Sequence, residues 1–574
     1  MMASTLASID WFIIFAYLVL IIFCGTYFTR RAHKALSEYF ISGRSLPWWI
    51  AGTSMVATSF SCDTPLYVTK LVRTGGIYLN WQWWSFLIGG MLSAFLLSKL
   101  WRRAEVMTDV ELTELRYSGK GAAFLRGFRA FYLAIPINCI AMGWVLLAMA
   151  KISAAVIGWD KWQAIVIFSF AAFSYSLLAG FWGVVVTDVA QFILAMTGAV
   201  LVAVFAVDAA GGWQATLDFI RYQPDSYPET LKFIPAVKPA GSSSFISAAF
   251  IGFLTYNLVQ WWSNINSDGG GKVIQRINAC KNENHALGSV LWYNFAHFVL
   301  RSWPWIIAAL ASLKLYPHLS DHEMAYPKII VELMPAGVKG LVIASLIAAF
   351  MSTIDTQMNW GASYLVSDLY KRFIRPHQSD GHYLWAAKAA VLLLMILAGL
   401  AAYFTESVTE AFKFIIAFGA GTGPVYILRW FWWRINAWSE IAAMIASAVI
   451  SISLYTVTEV DYALKVLLTS GGSAIIWIIV AYAAPSTSLP HLKAFYLRAR
   501  PGGFWQPVKS FAEVKAASIA SGLINTILGV IACTGFMISI GKFFLLNWLQ
   551  GMALFFLAAI CSLLLYHRIV RAKV

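Results

Sequence analysis

Apolar stretches about as long as a bilayer is thick recur along this whole chain, and that pattern constrains its fold more than any motif does. A membrane-crossing helix needs roughly 20 apolar residues, and about fifteen such stretches can be read by hydropathy. They fall at 11–28, 47–72, 77–100, 131–157, 162–181, 184–207, 246–262, 286–315, 338–366, 383–404, 411–431, 438–455, 462–484, 519–540 and 548–566, with a long loop at 208–244. Across 574 residues, 60% are hydrophobic and 12% charged, and the mean hydropathy is +0.70. Soluble domains do not have this composition. The reading is an all-α integral membrane protein with no room for a soluble catalytic or signalling domain.

The net charge of +15 does not point to nucleic acid, because the basic residues alternate with the spans. Arg30 and Lys34 follow the first span, Arg102, Arg116 and Arg129 lie between the third and fourth, Lys272 and Arg276 follow the seventh, and Arg568 and Arg571 close the chain. If every span crosses once, these clusters share one side, and the positive-inside rule makes that side the cytoplasm. The expected topology is a multi-pass protein of the plasma (inner) membrane, N-terminus outside and C-terminus cytoplasmic. The first span has no basic residue before it and no small-residue cleavage site, so it reads as a retained helix. The segment 485–515 is basic and amphipathic and is expected to lie along the cytoplasmic lipid surface. The six cysteines fall in spans or cytoplasmic loops, so neither a disulfide nor a metal centre is expected.

Two features break the apolar pattern. In the span at 338–366, Ser352, Asp355, Thr356 and Asn359 have i, i+3, i+4, i+7 spacing and share one helix face. A carboxylate and hydroxyls inside a membrane helix are costly and face a cavity, a partner or an ion. The second span carries TSMVATSFSCDTP, with Asp63 and Pro65, and the seventh runs through Asn257, Gln260 and Asn264 into Asp268-Gly269-Gly270-Gly271. Both should be interrupted, and non-helical backbone is tolerated at membrane depth only where it lines a cavity. Two interrupted spans set five apart suggest an inverted repeat of five helices and a secondary transporter working by alternating access.

Several runs resemble the sodium:solute symporter family of sodium-coupled sugar, proline, pantothenate and sialic acid carriers. These are EYFISGRSLPWW at 38–49, TDVELTELRY at 108–117, TDVAQF at 187–192, VIQRINACK at 273–281 and GVKGLVIASLIAAFMSTID at 337–355. Their order covers 9–433. The resemblance implies a leucine-transporter-like 5+5 inverted-repeat core with one leading and four trailing helices. The expected divisions are 1–46 for the leading helix and cytoplasmic loop, 47–431 for the core with repeats 47–207 and 246–431, and 432–574 for the trailing helices with the segment 485–515.

The resemblance also implies sites. The family's shared sodium site maps to the carbonyls of Ala57, Phe60 and Ala349 and the hydroxyls of Ser352 and Thr353. An unwound carbonyl and a hydroxyl suit a small hard cation, although hydroxyls in membrane helices also bond back to their own helix. Asp188, Asp355 and Thr356 form a candidate second sodium or proton site, with Asp355 standing where a serine is expected. The alternative for Asp188 is an ion pair with a cytoplasmic arginine. Sodium is therefore the coupling ion, with one or two sites. Candidate solute contacts are Asp63, Thr64, Gln82, Trp83, Asn257, Gln260, Trp261, Asn264 and Arg301. Arg301 lies inside a span and needs a partner, either solute or Asp63 or Asp268. His297 reads as a packing residue. The tryptophans could form an aromatic pocket or the interfacial belt, and the glycines of Gly419–Pro424 could serve outer gating or close packing alone.

No phosphate loop and no nucleophile–base arrangement compels an enzyme. The function reached is import of a small polar organic solute (sugar or polyol, amino acid or carboxylate) with sodium. The partners are the solute, sodium and the bilayer, with no obligatory protein partner. The rivals are proton coupling on the same fold through Asp63, Asp188 or Asp355, and a polytopic membrane enzyme using Asp63 and His297 as acid and base.

Overall fold

Backbone amides and carbonyls find no partner in hydrocarbon, so apolar stretches must close their hydrogen bonds internally. In the computed structural model every such stretch among the described residues is helical, and no strand forms there. The structure describes residues 6–32, 44–222, 229–238, 245–263, 267–509 and 516–571, with side chains omitted for 25–32 and 177–183. Asn264 lies outside the described residues.

The leading helix α1 (Ser8–Ala32) is followed by a broken span, α2 (Trp48–Ala57) and α3 (Asp63–Gly75). Then come α4 (Ile77–Ala104), α5 (Gly119–Ile157) and α6 (Lys161–Ala209). After α7 (Trp213–Arg221) a second broken span runs through α8 (Ala248–Leu258), a 3-10 turn at Gln260–Trp262 and α9 (Gly271–Ala279). The helices α10 (Glu283–Leu315), α11 (Ala325–Leu333), α12 (Val338–Ile374) and α13 (Asp380–Phe404) follow. The pair α14 (Val408–Gly419) and α15 (Gly423–Phe431) is bent by 41°. The tail is α16 (Ala437–Val457), α17 (Tyr462–Ala483), α18 (Leu489–Ala499), α19 (Ile519–Phe544) and α20 (Trp548–Arg571).

Ten helices are long and apolar enough to cross a membrane, or eleven with the bent pair. That count covers the described residues alone, and the two interrupted spans are not in it, because each is cut into pieces too short to cross alone. The 49 residues of α6 would extend about 74 Å, more than twice the hydrocarbon thickness. Both of its ends lie on one face. Lys161 Nζ donates to the carbonyls of Tyr403 and Thr405 at the end of α13, each at 2.7 Å, and Gly211 sits beside Lys314 at the end of α10. The run therefore doubles back and holds two spans.

Local chemistry explains the breaks. Pro65 has no amide hydrogen and would clash with the preceding turn of a continuous helix, so α3 can restart only with the proline in its first turn. Asp63 at that start complements the helix dipole. In the second break, Gly269 has φ of +77° and a Cβ there would meet Ser93 Oγ at 2.6 Å, a position only glycine fills without strain.

The α12 helix is buried almost all round, so its polar stripe faces protein and not lipid. The helices α1, α5, α6 and α13 pack around it, and the broken spans reach it through α2 and α9. In the basic segment, one face of α18 packs on the protein. Leu492, Phe495 and Tyr496 are buried, and Trp505 lies under the Arg116 guanidinium at 4.8 Å. That aromatic cluster, closed by a cation, draws the apolar face onto the protein; residues 510–515 lie outside the described chain.

Candidate ion and solute site

The α2–α3 break presents main-chain carbonyls that a continuous helix would use internally. The Ala57 carbonyl accepts the Phe60 amide at 3.0 Å. The Thr58 carbonyl instead accepts two side chains, Thr353 Oγ1 of α12 at 3.3 Å and Lys272 Nζ of α9 at 3.0 Å. The next carbonyl, Ser59, accepts Arg301 of α10. The break and α12 thus meet at Thr58, one residue on from the expected Ala57. Ala57, Phe60 and Ala349 are all buried nearby.

One helical step away, Ser352 turns to a different partner. Its hydroxyl donates to Asp188 Oδ1 at 2.5 Å, and Ser54 of α2 donates to Oδ2 at 2.5 Å. Asp188 therefore ties α2, α6 and α12 together. Arg276 of α9 stands beside this node: Nη2 is 3.7 Å from Asp188 Oδ2 and donates to Thr356 Oγ1 at 2.8 Å, while Nε donates to Ser54 Oγ at 3.1 Å. A guanidinium thus stands at two of the three residues expected to hold a second ion, within ion-pair distance of Asp188. Asp355, the third, is 1% exposed, and neither carboxylate oxygen has a hydrogen-bond partner among the described residues.

A cavity of about 200 Å³ opens beside the break. Asp63, Thr64, Trp83, Trp261 and Arg301 line it, joined by Tyr67, Lys272, His297 and Thr353. Arg301 follows a π turn at Phe295–Leu300, a local widening of the helix that re-aims the side chains around it. Its Nε donates to the His297 carbonyl at 3.1 Å, and Nη2 lies 2.8 Å from His297 Nε2. The guanidinium carbon sits 5.3 Å from the Trp305 ring centre and 5.8 Å from that of Trp83. Among the described residues, hydrogen bonds to carbonyls and to a histidine, and no ion pair, hold Arg301 and Lys272.

Three expected solute contacts are placed elsewhere. Gln82 is held between Tyr67 Oη at 3.1 Å and Tyr256 Oη at 3.2 Å, outside the cavity wall. Gln260 donates to the Gln82 carbonyl at 2.5 Å and is fully buried. Asn257 bonds back to the Phe253 carbonyl at 2.9 Å and faces an apolar crevice against α19. Each donates to nearby protein, a common fate of a polar side chain in a membrane helix. Lys272 was missed as a site residue. Its position just after three glycines in an interrupted span was the available signal, and sequence reading counted it with the cytoplasmic clusters.

A sequence profile of the sodium:solute symporter family matches residues 39–447, and the chain belongs to that family. It is 24% identical over 515 residues to a sodium/glucose cotransporter of Vibrio parahaemolyticus, covering 84% of this chain and 91% of that one. It is 26% identical over 458 residues to the sodium/sialic acid symporter SiaT of Proteus mirabilis, covering 77% and 88%. A solved Na+-coupled sialic acid symporter, substrate-bound and outward-open, superposes with a TM-score of 0.68 at 22% identity over 84% of this chain and 99% of that one. A nucleobase-cation-symport-1 family transporter in a closed conformation gives 0.50 at 13% identity over 80% and 97%. The fold is the all-α inverted-repeat transporter core.

Proposed function

We propose that this chain imports a small organic solute together with sodium by alternating access. The observation that carries the reading is the junction at Thr58, where an unwound carbonyl of the first broken span meets a hydroxyl of α12 beside the Ser54–Asp188–Ser352 node. Carbonyl, hydroxyl and carboxylate oxygens converging from three helices are what a small hard cation needs in exchange for its water. Thr58, Ser352, Thr353 and Asp188 are the groups we assign to it, with Ala57, Phe60 and Ala349 as nearby carbonyls. The membrane potential adds about 2.3 kcal/mol per charge per 100 mV to such import.

The solute reading narrows to a carboxylate-bearing molecule. Two cations, Lys272 and Arg301, line the cavity against one carboxylate, Asp63. An unpaired buried charge is costly, and a solute carboxylate would balance the excess. Tryptophan faces at Trp83 and Trp261 suit the apolar or ring portion of such a solute. The basic clusters support the assignment of the Arg116–Glu440 face as cytoplasmic and the Glu323 face as external.

Asp355 supports a second reading. A buried carboxylate with both oxygens unpartnered is suited to carry a proton. Uptake into proteoliposomes separates the two. With a panel of sugar acids, amino acids, monocarboxylates and neutral sugars, sodium coupling gives accumulation under an inward sodium gradient and not under potassium. Equal uptake in both would exclude it, and uptake driven by a pH gradient without sodium would favour Asp355.

A further inference from the structure

The Thr58 carbonyl carries more than a place in the sodium cradle. It accepts the Thr353 hydroxyl and, at 3.0 Å, the ammonium of Lys272. That ammonium carries the same charge as the coupling ion and sits on an oxygen of the cradle. Two cations on one carbonyl repel strongly in a site shielded from water. Sodium and the Lys272 ammonium therefore cannot both hold this oxygen at low cost.

Lys272 has somewhere else to go. It is the second residue of α9, after the Asp268–Gly271 turn in which Gly269 and Gly271 have positive φ. Its four-carbon stem is flexible, and the side chain already borders the cavity. Arg301 cannot make the same move, because His297, the Ser59 carbonyl and the faces of Trp83 and Trp305 fix its plane.

We propose that Lys272 is a tethered cation that holds the sodium's place at the Thr58 carbonyl, and that sodium binding drives its ammonium into the solute cavity beside Arg301. The ion's arrival then completes a two-cation receptor for the solute carboxylate, which couples ion to solute by charge and by occupancy of one oxygen. The inference rests on the sodium reading above.

The test measures binding of radioactive sodium to the purified full chain in detergent, with choline holding ionic strength constant. K272M removes the charge at similar length, K272Q removes it while keeping a donor for Thr58, and K272R keeps it. The expected result is that K272M and K272Q bind sodium about tenfold tighter or more than the native chain, from the loss of a like charge at short range. K272R stays within about threefold of the native chain. A saturable native signal left unchanged or weakened in both K272M and K272Q overturns the proposal and leaves the sodium reading standing. No saturable sodium binding in any variant, the native chain included, overturns the sodium reading and the proposal with it.

Discussion

Ser352 and Thr353 are sequence neighbours whose hydroxyls serve different halves of the site. Ser352 satisfies Asp188, and Thr353 reaches the Thr58 carbonyl. S352A removes a donor from a fully buried carboxylate, so about 1–3 kcal/mol of stability should be lost, and sodium affinity should fall by about tenfold or more; a thermal melt and a sodium titration read the two effects. Glu323 is a residue of another kind. It ties α3, α5 and α14 together by accepting Lys70 at 3.3 Å, Lys151 at 2.7 Å and the Thr409 amide at 3.1 Å. Burial would raise its pKa, but the bonds and charges of Lys151, Lys70 and Thr409 outweigh burial and hold it down at about 2. A carboxyl held that low contributes stability fully present above its unfolded pKa of about 4.3 and lost as pH falls towards 2. The shift corresponds to about 3 kcal/mol. E323Q should therefore melt earlier at pH 7 and lose less on acidification to pH 3 than the native chain; parallel acid-side losses would remove Glu323 from this role.

At the scale of elements, the second broken span is anchored by buried ion pairs. Asp268, in the turn before α9, pairs with Arg429 of α15 at 2.6 Å, and Arg429 and Arg129 of α5 both reach Glu440 of α16, at 3.4 and 3.1 Å. All of these side chains are at most 1% exposed. D268N leaves the Arg429 charge half-paired in the interior and should cost about 3–5 kcal/mol, measured by chemical denaturation; a change under 1 kcal/mol would mean water reaches the cluster. The bend between α14 and α15 presses on the same span. A Cβ on Gly423 would lie 2.0 Å from the Trp262 carbonyl, so G423A should either destabilise the fold or slow transport at least tenfold, because backbone and not a movable side chain is in the way. The sequence made these elements legible where single residues dictate them. Pro65 required the first break and Gly269 the second, and the polar stripe of α12 required a buried face. It did not reveal partners brought together across the fold. Gln82 could not be known to lie between Tyr67 and Tyr256, nor Asp268 to meet Arg429, since each pairing depends on how separate helices pack. The same reason hid Lys272, whose cytoplasmic appearance in sequence gives way to a contact with a carbonyl 214 residues away.

For the whole molecule, the arrangement is two broken helices crossing beside one buried polar helix, with ion pairs at each end and an unevenly charged cavity between them. Alternating access requires that neither end be permanently closed, and the contacts at both are discrete ion pairs. The central claim is that oxygens from the α2–α3 break and from Ser352 and Thr353 jointly hold sodium. Calorimetric titration of the purified full chain with sodium chloride, against potassium chloride as control, tests it most directly. The account expects a saturable heat with sodium alone, abolished in the S352A/T353A double variant; no sodium-specific heat in the native chain, or an undiminished one in the double variant, would contradict it.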